Sequence, residues 1–167
     1  WRGPMVMGAV QQLFTEVNWG ELDLLLIDTP PGTGDAHLTL LQKAELSGAV
    51  IVSTPQEMAL ADVRRGAALF RQMDTPILGL IENMAYFEQP DGERLPVFGE
   101  GGARQAAKAL DVPFIGEVPL IPLLRAASDA GTPLGAYDPD NPNSLIFQDL
   151  AGKIADTLQL VPGESPS

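Results

Sequence analysis

The chain has no cysteine. That excludes disulfides, thiolate catalysis, and any zinc site or iron–sulfur cluster ligated by thiolates of this chain. Basic residues are scarce. Ten Lys and Arg stand against 22 Asp and Glu, a formal net charge of −12 over 167 residues. This balance argues against nucleic acid and against anionic lipid as partners. The densest basic run is Arg64-Arg65. No apolar run is long enough to span a bilayer, and no signal-peptide pattern is present, so the cytoplasm is the expected compartment. Histidine occurs once, as His37, two residues after Asp35; one His and one Asp fall short of a metal site. A phosphate loop of the form G-x-x-x-x-G-K-S/T is missing. Lys43, Lys108 and Lys153 are the only lysines, and none follows a Gly-rich loop. The chain opens Trp1-Arg2-Gly3-Pro4 without an initiating Met, as expected of a fragment or a processed protein.

The most informative stretch is 22–35, LDLLLIDTPPGTGD. An apolar run ends in one carboxylate, Asp28, and passes into a loop stiff at Pro30 and Pro31 and open at Gly32 and Gly34. A buried parallel strand delivers an acid to a sheet edge in this way, where a phosphate or a metal can sit. The same residues equally fit a buried strand that ends in an acidic turn.

Hydrophobic periodicity orders the rest. A helix is expected from Pro4 to Asn18, then strands over 22–27 and 49–53 with a short helix over 38–44 between them. Thr54-Pro55-Gln56-Glu57 reads as a helix start with Thr54 as cap, and Leu60, Val63, Ala67, Phe70 and Met73 share one face after it. A strand over 77–81 follows, then a reversal at Pro90-Asp91-Gly92, a helix over 103–110 and a strand over 114–118. Pro122 opens a helix that stops at Gly131, and Ser144 caps a last one with the stripe Ile146, Leu150, Ile154, Leu158. Strands alternating with helices mean parallel pairing, with the functional loops beyond the strands' carboxyl ends. Gly99, Gly101 and Gly102 ahead of a helix serve either an anion or a tight, closely packed turn.

Taken in order, the segments DTPPGTGD, STPQE running into ALADVRRG, GLIENMAYF, FGEGGAR, VPFIGEVPL and IPLLRAASDAG resemble the carboxyl-terminal part of the Mrp/ApbC-type ATPases. These are deviant-Walker P-loop proteins, relatives of MinD and ParA, implicated as iron–sulfur cluster carriers or scaffolds. The resemblance covers roughly residues 1–136 and, more loosely, the last helix. It implies an α/β fold of P-loop NTPase type: a parallel sheet with helices on both faces, lacking the amino-terminal P-loop strand. Residues 1–161 would form one partial ATPase domain and 162–167 a flexible tail.

The resemblance also implies roles. Asp28 matches the Walker B aspartate that holds Mg²⁺ through water, and Gly32 lies in the switch loop that senses the γ-phosphate; these two are the catalytic candidates. Asn83 matches the residue that hydrogen-bonds adenine, and Pro119, Leu120 and Ile121 match the segment against which the base rests. Asp35 belongs to the signature without an assigned role. ATP and Mg²⁺ are the cofactors expected of the intact protein, a homodimer the expected assembly, and iron–sulfur apo-proteins the expected clients. This chain alone is expected to be inactive, because the Walker A loop is absent. Many relatives carry Cys-x-x-Cys after Asn-Met-x-Tyr-Phe; here Gln89 takes the first position and no thiol follows, so no cluster is expected on this chain. The alternative function is a MinD/ParA-like nucleotide-dependent switch or dimerisation module without cluster binding; a third is a fragment that keeps the fold without activity. In folds of this kind the missing strand lies between 22–27 and 49–53. Those two strands are therefore expected to face an empty slot that association between copies fills.

Overall fold

The structure is a computed structural model that describes residues 3–29 and 41–160. Its elements, in chain order, are α1 (Gly3–Thr15), β1 (Ala49–Ser53), α2 (Glu57–Gln72), β2 (Ile77–Asn83), β3 (Phe87–Glu88), β4 (Arg94–Leu95), α3 (Gly102–Leu110), β5 (Phe114–Val118), α4 (Pro122–Asp129), α5 (Leu134–Tyr137) and α6 (Pro142–Thr157). Residues 41–43 are also helical, which agrees with the described part of the helix expected over 38–44.

Strands joined through helices run parallel, because a helical crossover carries the chain from the carboxyl end of one strand back to the amino-terminal end of the sheet. β1, β2 and β5 form such a sheet in the order β1–β2–β5. The apolar run of β2 is explained by burial on both sides. Leu80 faces Leu60 and Val63 of α2 and Ala103, Ala106 and Ala107 of α3. Ile81, one residue on, faces Ile115, Val118 and Leu150 of α6 on the opposite side. The small side chains of α3 let that helix lie close to the sheet. β3 and β4 form a separate antiparallel hairpin around the expected reversal, closed by Gln89 N–H to the Glu93 carbonyl at 2.8 Å and Gly92 N–H to the Gln89 carbonyl at 2.9 Å.

The strand expected over 22–27 does not form. Residues 22–29 carry no strand, and Leu22, Leu24 and Leu26 are 52%, 48% and 85% exposed. A strand exists through its ladder, and among the described residues β1 pairs only with β2, leaving its outer edge open. With no neighbour to supply hydrogen bonds, the leucine run has no reason to be extended. The apolar residues Met5 and Leu13 of α1 are likewise exposed.

Two expected caps also shift. α2 begins two residues later than Thr54-Pro55 suggests: Gln56 is its N-cap, with no side-chain bond, and Glu57 pairs with Arg64 at 2.9 Å instead of closing a capping box. Thr54 and Pro55 are spent on the strand exit, where Ser53 Oγ donates to the Thr54 carbonyl at 3.0 Å. α6 is capped by Asn141, whose side chain accepts from Asn143 N–H, with Pro142 in the first turn. Ser144 is buried inside that turn, donating to the Asp138 carbonyl at 2.7 Å. The short helix α5 had no clear signature, since four residues cannot display a period.

Glycine is required where α3 meets the β1 exit. A Cβ on Gly102 would lie 2.4 Å from the Pro55 carbonyl oxygen, whereas one on Gly152 of α6 would meet nothing within 4 Å. Gly102→Ala is therefore expected to lose about 1–3 kcal/mol despite better helix propensity, and Gly152→Ala to gain roughly 0.5–1 kcal/mol. Urea unfolding of both variants checks this; equal and favourable shifts would remove the close approach from the account.

Candidate functional site at the carboxyl ends of the strands

β2 delivers Asn83 to the carboxyl edge of the sheet, opposite Val118 of β5. Pairing continues past the strand ends. Ala85 N–H donates to the Val118 carbonyl at 3.1 Å, and Leu120 N–H to the Tyr86 carbonyl at 2.7 Å. The loop after Asn83 and the segment Pro119, Leu120, Ile121 therefore run side by side, and the structure brings together these four residues that the sequence singled out. Pro119 is buried, while Leu120 and Ile121 are half-buried. Ile121 is also the N-cap of α4, with Pro122 fixing the first turn. An amide next to an apolar shelf offers a planar heterocycle a directed polar contact and a face to rest on.

The Asn83 amide is itself held. Its Oδ1 accepts Met84 N–H at 2.9 Å, and Met84 adopts a left-handed φ of 54°. A non-glycine residue in that region is strained, and a short polar side chain that bonds the backbone locally is one way to hold it. Oδ1 is engaged as an acceptor, and Nδ2 is the donor of the amide.

The neighbouring acid, Glu82, was not singled out from the sequence. It is 1% exposed, and its Oε2 accepts the Ala103 N–H at the start of α3 at 2.6 Å. This decides the reading of the glycine-rich turn before α3. The helix N-terminus already holds an anion from within the protein, and Gly99 and Gly101, with φ of 104° and 65°, serve the turn. The signal was present in the sequence: a carboxylate inside the apolar run Gly79-Leu80-Ile81-Glu82 needs a buried partner.

Of the phosphate-side candidates, only Asp28 lies within the described residues. Asp28 is exposed and follows the unpaired 22–27 segment, so no strand carries it to the sheet edge. Gly32, Asp35 and His37 lie outside the described residues. Among the described residues no three acidic or histidine side chains gather as a metal site. A groove of about 410 Å³ lies between α2 and α3, lined by Glu57, Leu60, Arg64, Gln105 and Leu110 among others.

Residues 1–155 match the family model described as ParA: NUBPL iron-transfer P-loop NTPase. The chain belongs to this family. The iron–sulfur cluster transfer protein NUBPL of Dictyostelium discoideum is 46% identical over 162 residues, covering 96% of this chain and 50% of that protein. The iron–sulfur cluster carrier protein of Pyrococcus horikoshii is 41% identical, covering 98% and 56%. The chain thus spans about half the length of these relatives. Among solved structures, the nucleotide-binding protein of Archaeoglobus fulgidus in complex with ADP is 46% identical with a TM-score of 0.72, over 86% of this chain and 58% of that one. The MinD cell-division ATPase of Pyrococcus furiosus, 22% identical with a TM-score of 0.65 over 93% and 59%, shares the fold. The α/β architecture inferred from strand and helix alternation is therefore that of the NUBPL and MinD P-loop proteins.

The Met84 geometry gives a test of how the Asn83 loop is built. Met84→Val, β-branched in a left-handed position, is expected to destabilise by about 1–2 kcal/mol, and Met84→Asn by less than about 0.5 kcal/mol. Thermal unfolding compares them; a valine variant as stable as the asparagine one would mean the loop relaxes out of the left-handed conformation.

Proposed function

We propose that this chain is the carboxyl-terminal part of an ATP-hydrolysing NUBPL-family protein that acts in iron–sulfur cluster assembly or transfer. The observation that carries the reading is the convergence of Asn83 with Pro119, Leu120 and Ile121 in a chain that belongs to this family over residues 1–155. The relatives' names, cluster transfer and cluster carrier, support the biological role. The solved relative bound to ADP supports the nucleotide.

In this reading the base lies on Pro119–Ile121 with the Asn83 amide at its edge. Asp28, an exposed hard oxygen donor, fits a magnesium ion held mostly by water and phosphate. When bound, the ion neutralises charge that develops on the phosphates. Gly32, which lies outside the described residues, is assigned by the family resemblance to sense the γ-phosphate through a backbone N–H. Homodimerisation, iron–sulfur apo-protein clients, a cytoplasmic location and a single domain over 1–161 complete the proposal; the tail expected at 162–167 lies outside the described residues. Among the described residues no helix is long and apolar enough to cross a membrane. Light scattering at micromolar concentration tests association; a strict monomer contradicts it.

The second reading is a MinD-like switch or dimerisation module without cluster binding. The cysteine-free sequence favours it, since clusters are held by thiolates. Anaerobic reconstitution with iron counting separates the two. The pure chain is expected to hold no stoichiometric cluster, and one that does would show ligation by other donors.

The chain carries base-side residues but no lysine-bearing phosphate loop. It is therefore expected to bind ATP–Mg²⁺ more weakly than about micromolar and not to turn it over. Calorimetry and a phosphate-release assay check this, and steady turnover by the purified chain would sink the division of labour. In a family member that includes a P-loop, the substitution equivalent to Asp28→Ala is expected to lower hydrolysis at least about tenfold. Unchanged turnover there contradicts the role given to Asp28.

A further inference from the structure

Glu82 stands one residue before Asn83, on the central strand, and its carboxylate is fixed on the Ala103 N–H at 2.6 Å. That bond closes an excursion of the chain. Past Tyr86 the chain leaves the sheet, makes the β3–β4 hairpin and the glycine turn over residues 87–101, and returns at Gly102. At the return point Gly102 is pressed against the Pro55 carbonyl at the exit of β1, and Ala103 is 0% exposed. The next residue, Arg104, pairs with Glu117 at 2.7 Å, and Glu117 is the neighbour of Glu82 across the sheet. One turn of α3 therefore answers two adjacent carboxylates, one with a backbone N–H and one with a guanidinium.

Packing alone does not call for an acid here. Its neighbours Leu80 and Ile81 fill the two cores with apolar side chains. A buried carboxylate is costly unless it is bonded, but bonded to the positive end of a helix it gives a directional tie that an apolar side chain cannot.

We propose that Glu82 is a positioning residue for the base-side contact. By tying the start of α3 to the end of β2, it fixes where the excursion departs and returns. It thereby keeps the Asn83 amide and the Tyr86–Leu120 pairing aligned on one ligand. Glu82 touches no ligand itself; it acts through Asn83 and α3. The ligand in this inference rests on the nucleotide reading above, whereas the tie rests on geometry alone.

The experiment compares the chain with Glu82→Ala and Glu82→Gln. Hydrogen exchange read by mass spectrometry reports the tie, and NMR titration with adenosine, a probe of the base side without phosphates, follows the Asn83 side-chain amide. Glu82→Ala is expected to speed exchange within 84–103 by about ten- to a hundredfold, while β1 and β5 stay protected. It is also expected to abolish the adenosine-induced shift of the Asn83 amide. Glu82→Gln keeps an acceptor oxygen and is expected to restore most of both. Unchanged exchange within 84–103 overturns the proposal. So does a uniform rise over all strands, which is the mark of general core support. If Glu82→Ala does not fold, Glu82→Met, close in volume and without a strong acceptor, takes its place and the same two patterns decide. Absence of any adenosine response in the unsubstituted chain overturns the nucleotide reading, and the exchange pattern then still decides the tie.

Discussion

Everything placed in this structure is placed relative to β2. Among the described residues it is the strand with a partner on both edges, β1 on one side and β5 on the other, and with a core on both faces. Leu80 and Glu82 reach α2 and α3, and Ile81 reaches α6. A strand so enclosed can carry neither an unpaired backbone group nor an unpaired charge. The single acid it holds must therefore find a donor, and it finds the first turn of α3. Asn83 inherits its position from that enclosure, since it is the last residue of the same strand.

Among the described residues the sheet ends at β5 on one side and at β1 on the other. From β2 towards β5 the ladder continues past the strand ends into the loops that bring Asn83 beside Leu120. From β2 towards β1 it stops, and the leucine-rich 22–27 segment beyond has no ladder to join. The candidate nucleotide site divides along the same line. Its base side is built from paired backbone, while Asp28 on the phosphate side hangs from an unpaired segment. The exposure of Leu26 and the open edge of Ala49–Ser53 go with one unmet set of hydrogen bonds.

Much of the fold was legible because its signals are local. The Val/Ile run of β1, the helical stripe of α2 and the Pro122 start of α4 all fall where periodicity and proline put them. The helix caps were less legible, because several residues within one turn can cap. Asn141 outcompetes Ser144 once Pro142 sets the first turn, and Thr54 is taken by the strand exit. On the site, Asn83 and Pro119–Ile121 were recognised from motif order, and their meeting follows from parallel neighbours ending at the same edge.

By itself the sequence determined the class of chemistry and the family: no thiolates, few cations, acids and amides at strand ends, and motifs in the order of the NUBPL-type P-loop proteins. These are properties of composition and of short segments, which need no knowledge of what lies beside them. Only the tertiary structure decided that 22–27 is not a strand, that Glu82 fills the helix N-terminus behind the glycine turn, and that Gly102 must be glycine. Each of these depends on a partner distant in the chain: an absent ladder, an N–H twenty-one residues away in sequence, a carbonyl at the exit of another strand. A buried hydrogen bond or a close contact is a relation between two segments, and neither segment states it alone.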